Sequence, residues 1–277
     1  MPKKLKNPVI TCDSKIEKSF FDFKVNRLKP RDIGTITINE KEYILKKEIS
    51  STKTPELEFY QINEKKIKKD KMDPFMQVPI MTKKCEDNKI LYLFHKLDGD
   101  LNRKFVSNLS KSDKINIFEQ TILIIFYLNH TLKYYHNDLT SFREIYNFFR
   151  SNNIMHVKND KPRLTLKVDK FKVKVGNYKS VLIDFGLASK EHGLAIPLLY
   201  NSLEYFLQKP IRFKSEVFLF FLVYYAMYNK KFNILLIQYC YDFFEGKIVE
   251  WELKKKKVAQ LIDFDRIIYL NFKALIM

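Results

Sequence analysis

The stretch Tyr134–Met155, "YYHNDLTSFREIYNFFRSNNIM", has a carboxylate beside a histidine at one end and a pair of asparagines near the other. His136-Asn137-Asp138-Leu139 follows a long apolar run, so Asp138 stands where a helix should end and a loop begin. An Asp so placed can accept a proton from a hydroxyl held against it. Asn153 precedes the strand-like "IMHV" and lies 15 positions beyond Asp138. Between them, Phe142, Ile145, Tyr146 and Phe149 recur at i, i+3, i+4 and i+7, the spacing of one helical face. That pattern predicts an amphipathic helical turn within Ser141–Ser151 that leaves the loop and returns to it. Lengthening a loop costs only about 0.6 kcal/mol per doubling, so Asn153 can still meet Asp138. Asn147 and Asn152 are the other amides within reach.

Upstream, "DIGTITINEKEYILKK" (Asp32–Lys47) alternates as two strands joined at "NEKE". Thr54-Pro55 then reads as an N-cap followed by proline at the first helical position, opening the helix "PELEFYQINEKKIKK". "ILYLFHKLDGDL" (Ile90–Leu101) is a strand running into an Asp-Gly turn. From Ser112 the chain changes character. A long, largely buried helix over Ser112–Tyr135 leads to the opening stretch. Arg163–Asp184 alternates as strands with a turn expected at Gly176-Asn177. The apolar "VFLFFLVYYAMY" (Val217–Tyr228) is expected as a core helix, and a final basic helix around "EWELKKKKVAQLIDF". A small β-rich lobe and a larger helical one, joined near Phe94–Asp98, make a two-lobed α+β plan with a cleft.

At 277 residues with 46% hydrophobic and 15% aromatic content, the chain has material for a sizeable core and is not a disordered one. No apolar run approaches the roughly twenty residues of a membrane span, and "MPKKLKNPVITCD" has no apolar targeting core. The three cysteines, Cys12, Cys85 and Cys240, show no C-x-x-C spacing. Their odd number predicts reduced thiols and an intracellular protein rather than a disulfide framework or zinc site. The net charge of +18 suits acidic partners, although abundant Lys, Ile, Asn, Phe and Tyr also fit the bias of an AT-rich genome. No motif indicates nucleic-acid binding.

Phosphoryl transfer needs positioning and charge neutralisation more than covalent chemistry. In chain order the sequence offers a strand-ending Lys46, a helical acid (Glu56, with Glu58 and Glu64 as rivals), Asp138, Asn153, and Asp184 in "VLIDFGLAS". This order resembles the eukaryotic-type protein kinases over roughly Ile33–Met277. Ser202-Leu203-Glu204 stands where Ala-Pro-Glu ends the activation segment, and Ser215-Glu216-Val217-Phe218 where Ser-Asp-Val-Trp opens a buried helix. "PELEFYQI…VPI" resembles the casein-kinase-1-like branch and favours Glu56; the whole resembles a serine/threonine kinase of a large DNA virus.

The resemblance implies one kinase-like domain over residues 1–277, with a small lobe at about 20–95 and a large one at about 98–277. It implies ATP, Mg²⁺ and protein substrates carrying Ser/Thr hydroxyls, and, for a viral protein, the host cytoplasm or virion. Asp138 and Lys46 would be the catalytic groups, and Asn153 and Asp184 would hold the metal. Ile33, Gly34, Ile38, Lys46, Glu56, Phe94 and Lys96 would contact the nucleotide. Arg266 would pair with Glu204.

The chain departs from this pattern in several places. The family's Asn follows its Asp by about five residues. The glycine loop is nearly absent, Gly34 being the only glycine before Gly99. Asn137 replaces the Arg that would read a phosphorylated activation loop, so activity is not switched that way, and Thr140 replaces a Lys. These departures motivate an alternative, a pseudokinase that binds partners; a small-molecule phosphotransferase is a third reading.

Overall fold

A computed structural model of the protein describes residues 8–19, 32–49, 54–139, 150–161, 163–229 and 234–277. They form a two-lobed α+β structure. The smaller lobe is an antiparallel sheet of β1 (Lys18–Ser19), β2 (Asp32–Ile38), β3 (Lys41–Ile49), β4 (Met81–Lys84) and β5 (Lys89–His95), in the order β1-β2-β3-β5-β4. β2 and β3 are joined by Asn39-Glu40, both at positive φ (51° and 63°), the tight reversal that matches strand twist. Strand alternation gives the sheet two apolar faces. Tyr43, Leu45, Leu91 and Leu93 face outward and bury Ile10, while Ile44, Tyr92 and Phe94 face α1 (Pro55–Lys69). The Thr54 hydroxyl accepts from the Leu57 amide at 3.2 Å, so α1 starts where its cap residue predicts.

Two cysteines are not reduced. Cys12 and Cys85, 73 residues apart, form a disulfide on the outer side of this sheet, with Cα atoms 5.8 Å apart. Spacing patterns report only local pairs, whereas here sheet packing brings the N-terminal segment beside the β4–β5 turn. Closing so long a ring restricts the unfolded chain by about 4 kcal/mol on the chain-entropy model. Cys240 is free and buried, its thiol pushed up to about 12 by desolvation.

The larger lobe starts at β6 (Gly99–Asn102) and α2 (Arg103–Asn108). α3 (Lys111–Phe126) then runs into a wide π-helical turn, Tyr127–Leu132, ended by Lys133 at φ 61°. β7 (Arg150–Lys158) pairs with β6 and with β10 (Tyr178–Leu182). β8 (Thr165–Val168) and β9 (Phe171–Lys174) form a separate hairpin. Its reversal is at Asp169-Lys170, with Asp169 at φ 51°, and not at Gly176-Asn177. The alternating pattern runs through both turns, so it could not choose between them. Burial of Leu166, Val168, Phe171 and Val173 did. Gly176 and Asn177 are instead tied to α3 through Asn116 and Asp113.

α4 (Ala195–Leu207), α5 (Glu216–Asn229), α6 (Ile234–Lys255) and α7 (Leu261–Ile276) complete the lobe. α5 is buried from Glu216 to Met227, as its all-round apolar character requires. The single basic helix expected around Glu250–Phe264 is two helices. Lys256, at φ 52°, turns the chain out of α6, and Gln260 opens α7. The predicted turn of Ser141–Ser151 lies outside the described residues except for its last two positions, Arg150 and Ser151, which belong to β7.

Candidate active site

Lys46 does not end its strand, because β3 stays paired with β5 to Ile49; it faces α1 from within the strand, and its ammonium is almost wholly buried. Glu56 is presented to it because Leu57, Phe59, Tyr60 and Ile67 turn inward and fix the helix rotation. The rivals are turned away: Glu58 is exposed, and Glu64 pairs with Lys68. Lys46 Nζ donates to Glu56 and, at 2.9 Å, to Asp184 Oδ1, with Glu48 at 3.4 Å. The Tyr60 hydroxyl donates to Glu56 Oε1 at 3.2 Å. Burial acts to discharge Lys46, but Glu56 and then Asp184 outweigh it and hold the ammonium well above its ordinary value. Burial likewise pushes the Glu56 carboxyl up, with Lys46 pulling against it. The pair therefore titrates as one unit.

The second half of the site is built on the β7–β10 pair. Beyond Ile154 and Leu182, which are partners, the Ile183 amide donates to the Asn153 carbonyl at 2.9 Å. Asn153 (φ 62°) and Asp184 (φ 56°) both adopt the left-handed conformation, which Asn and Asp tolerate best among residues with a Cβ. The Asn153 amide nitrogen donates to the Asp138 carbonyl at 2.8 Å and to Asp138 Oδ2 at 2.9 Å. Two residues 15 positions apart thus meet in a direct contact. His136 Nε2 donates to the Ile183 carbonyl at 2.8 Å, so both backbone groups of Ile183 are held. Burial pushes the His136 imidazole down to about 4, which keeps it neutral. Phe185, fully buried, stacks on Phe59 of α1 at 4.2 Å and lies 5.4 Å from the His136 ring. One aromatic cluster therefore couples the helix that carries Glu56, the turn that carries Asp184 and the loop that carries Asp138.

The other expected nucleotide contacts divide. Ile33 is opposite Lys46 in the sheet and Phe94 opposite Ile44, so both share the Lys46 face. Phe94 is buried beside Tyr60 and Tyr92. Lys96 follows β5, and its exposed ammonium pairs with Glu42 at 2.5 Å. Gly34 and Ile38 are not brought to this group. Ile38 packs with the outer apolar face, and a Cβ on Gly34 would collide with the Lys18 carbonyl and the Ile16 side chain. Gly34 thus lets β1 approach β2. The β1–β2 connection spans residues 20–31, which lie outside the described residues and contain no glycine.

Among the described residues no three His, Cys, Asp or Glu side chains cluster as a metal site. A donor set of Asp184 carboxylate and Asn153 amide oxygen still fits Mg²⁺, which takes one or two protein oxygens and completes its shell with water and phosphate. The Asn153 nitrogen is engaged by Asp138, leaving its oxygen as the ligand atom. The Asp184 side chain is 29% exposed, open enough to take part.

No family model matches the chain, and no curated protein does. Solved structures similar to it include that of vaccinia-related kinase 3, at 14% identity and a TM-score of 0.38, covering 60% of this chain and 46% of that one. Another is the Cydia pomonella granulovirus kinase PK-1, at 16% identity and a TM-score of 0.38, covering 63% and 52%. The chain thus spans about half the length of the solved structures it matches. The chemistry of the site rests on its own side chains.

Two residues hold the Asp138 loop in ways the sequence did not announce. Glu216, at the start of α5, is buried and accepts from the amides of His136 (2.9 Å) and Asn137 (2.7 Å) and from Asn129 Nδ2 (2.8 Å). The Asn137 side chain reaches the segment after Asp184. Its nitrogen donates to the Leu187 carbonyl (3.0 Å), Ser189 Oγ (2.9 Å) and the Glu191 carbonyl (3.2 Å), and its oxygen accepts from the Gly193 amide (2.7 Å). Read as the loss of an arginine, Asn137 is a direct tie to that segment. The expected pairing of Arg266 with Glu204 does not form. Arg266 is drawn to Asp169 on the β8–β9 turn (2.9 Å) and to Asp263 (3.4 Å), while Glu204 accepts from the Ile211 amide at 3.0 Å.

Proposed function

We propose that the protein is an ATP- and Mg²⁺-dependent protein kinase that phosphorylates Ser/Thr hydroxyls of protein substrates, its whole length forming one kinase-like domain. The observation that carries this reading is the convergence on the backbone of Ile183. One side holds Lys46, Glu56 and Asp184; the other holds Asp138 and Asn153. Lys46, kept charged by Glu56, is the cation for the inner phosphates. Asp138 orients the acceptor hydroxyl and takes its proton as the new P–O bond forms and the bond to the leaving ADP breaks. Asp184 and Asn153 would hold Mg²⁺, which supplies neutralisation of phosphate charge when bound. Asn153 also fixes the Asp138 carboxylate through its amide.

A second reading, a partner-binding pseudokinase, is favoured by one observation. The only glycine of the small lobe is occupied with packing β1 against β2, so none is left to let backbone amides approach phosphates freely. Labelled ATP with Mg²⁺ and acidic or basic protein acceptors separates the two. Transfer by the wild type, with loss of about 10²-fold or more in Asp138→Asn, supports the kinase. Nucleotide binding without transfer supports the pseudokinase, and equal label from Asp138→Asn and Asp184→Ala would mean a contaminant.

A further inference from the structure

Two basic features of the sequence, the β8–β9 hairpin and the "KKKK" run at 254–257, have no part in the site above. The fold brings them together. Lys170 at the hairpin tip, Lys255 and Lys257 at the end of α6, and Arg266 on α7 surround a cavity of about 260 Å³, walled by Trp251 and edged by Asp263. Arg266 is held in place by Asp169 and Asp263. Lys257 Nζ lies 5.5 Å from the Trp251 ring centroid. Among the described residues no carboxylate pairs with Lys170, Lys255 or Lys257. Four cations against the two carboxylates Asp169 and Asp263 leave two positive charges around one concavity.

We infer that this cavity binds a phosphate monoester presented by a polypeptide, a phosphorylated Ser or Thr side chain of a partner. A phosphomonoester carries about −1.5 to −2 charge and three acceptor oxygens, which matches the excess. The space equals roughly eight or nine water volumes, enough for a phosphorylated side chain whose methylene stem lies on the indole. A nucleic acid fits less well, because its phosphates repeat along the strand and call for a track of cations, whereas these converge on one point. The inference is independent of the phosphotransfer reading, since none of the lining residues belongs to that site.

Trp251 is the only tryptophan of the chain and reports directly on the cavity. Its emission is followed while the full-length protein is titrated with a phosphoserine peptide, the same peptide unphosphorylated, inorganic phosphate and a single-stranded oligonucleotide. The phosphopeptide should give a saturable change that the unphosphorylated peptide does not. Lys255→Gln combined with Lys257→Gln should weaken binding about tenfold or more. Both lysines are exposed, so circular dichroism and the thermal midpoint should match the wild type. Lys170→Gln, followed by calorimetry, repeats the test from the hairpin side. Equal response to both peptides, or unchanged affinity in these variants, overturns the site. Inorganic phosphate or the oligonucleotide binding as tightly as the phosphopeptide overturns the assignment of its ligand.

Discussion

Asn153 grips Asp138 twice, through the carbonyl at 2.8 Å and the carboxylate at 2.9 Å, although 15 positions separate them in sequence. The contact is made possible by β7, whose pairing with β10 fixes Asn153 beside Ile183 whatever the chain does between 140 and 149. Replacing Asn153 by Gly keeps the left-handed backbone relaxed and removes only the amide. Phosphotransfer should fall by about 10²-fold or more, with the denaturation midpoint little changed. Retained activity would show that Asn153 neither positions Asp138 nor holds metal.

Lys46→Met should destabilise the protein by about 3–5 kcal/mol, because it leaves Glu56 buried without its cation. Combining it with Glu56→Met should recover much of that loss while activity stays absent. Urea denaturation of the two single variants and the double variant measures the coupling. Additive losses would mean that the two side chains do not depend on each other.

Asn137→Ala removes four hydrogen bonds to residues 187–193. The expected result is faster proteolytic cleavage within that segment and a higher KM for the protein acceptor, with the KM for ATP nearly unchanged. Phosphatase treatment of the wild type should leave its activity unaltered, since this tie carries no phosphate. A strong phosphatase effect would count against it.

His136 gives a pH signature. Its folded pKa is pushed down to about 4 by burial, against about 6.5 in the unfolded chain. Between these values the unfolded state binds more protons. Its contribution to stability is therefore complete above about pH 6.5 and is lost as pH falls toward 4, by at most about 3 kcal/mol. The stability gap between the wild type and His136→Gln should narrow over that range. A gap that does not change with pH would sink the assignment.

Glu216→Gln replaces one acceptor oxygen by a donor, which then faces either the Asn137 amide (in place of Oε1) or the His136 amide and Asn129 Nδ2 (in place of Oε2). A cost of about 1–3 kcal/mol is expected, with reduced phosphotransfer although Glu216 touches no substrate. Thermal unfolding and initial rates measured on the same preparation check both parts.

The elements legible in the sequence were those specified locally. Thr54-Pro55 opened α1, Asn39-Glu40 reversed β2 into β3, and the apolar run of α5 was buried. The choice of Glu56 over Glu58 and Glu64 came from the family resemblance alone, because the rotation that the inward apolar residues give α1 is seen only once the helix packs. What escaped depends on distant partners or on unusual backbone at ordinary residues. Lys256 takes a left-handed φ with no glycine to announce it. Arg266 had carboxylates nearer than Glu204. Gly34 was expected to contact the nucleotide but relieves a strand contact. Asn137 reads as a missing charge until the segment it holds is folded against it.

The Cys12–Cys85 bond has a consequence for the covalent topology of the small lobe. It makes residues 12–85 a closed ring from which α1, β2 and β3 cannot be detached by a single cut. A protease that nicks the glycine-free segment 20–31 would leave one molecule under oxidising conditions, with Lys46 and Glu56 still joined to the N-terminal strand. The same nick would yield two separate fragments once the bridge is reduced.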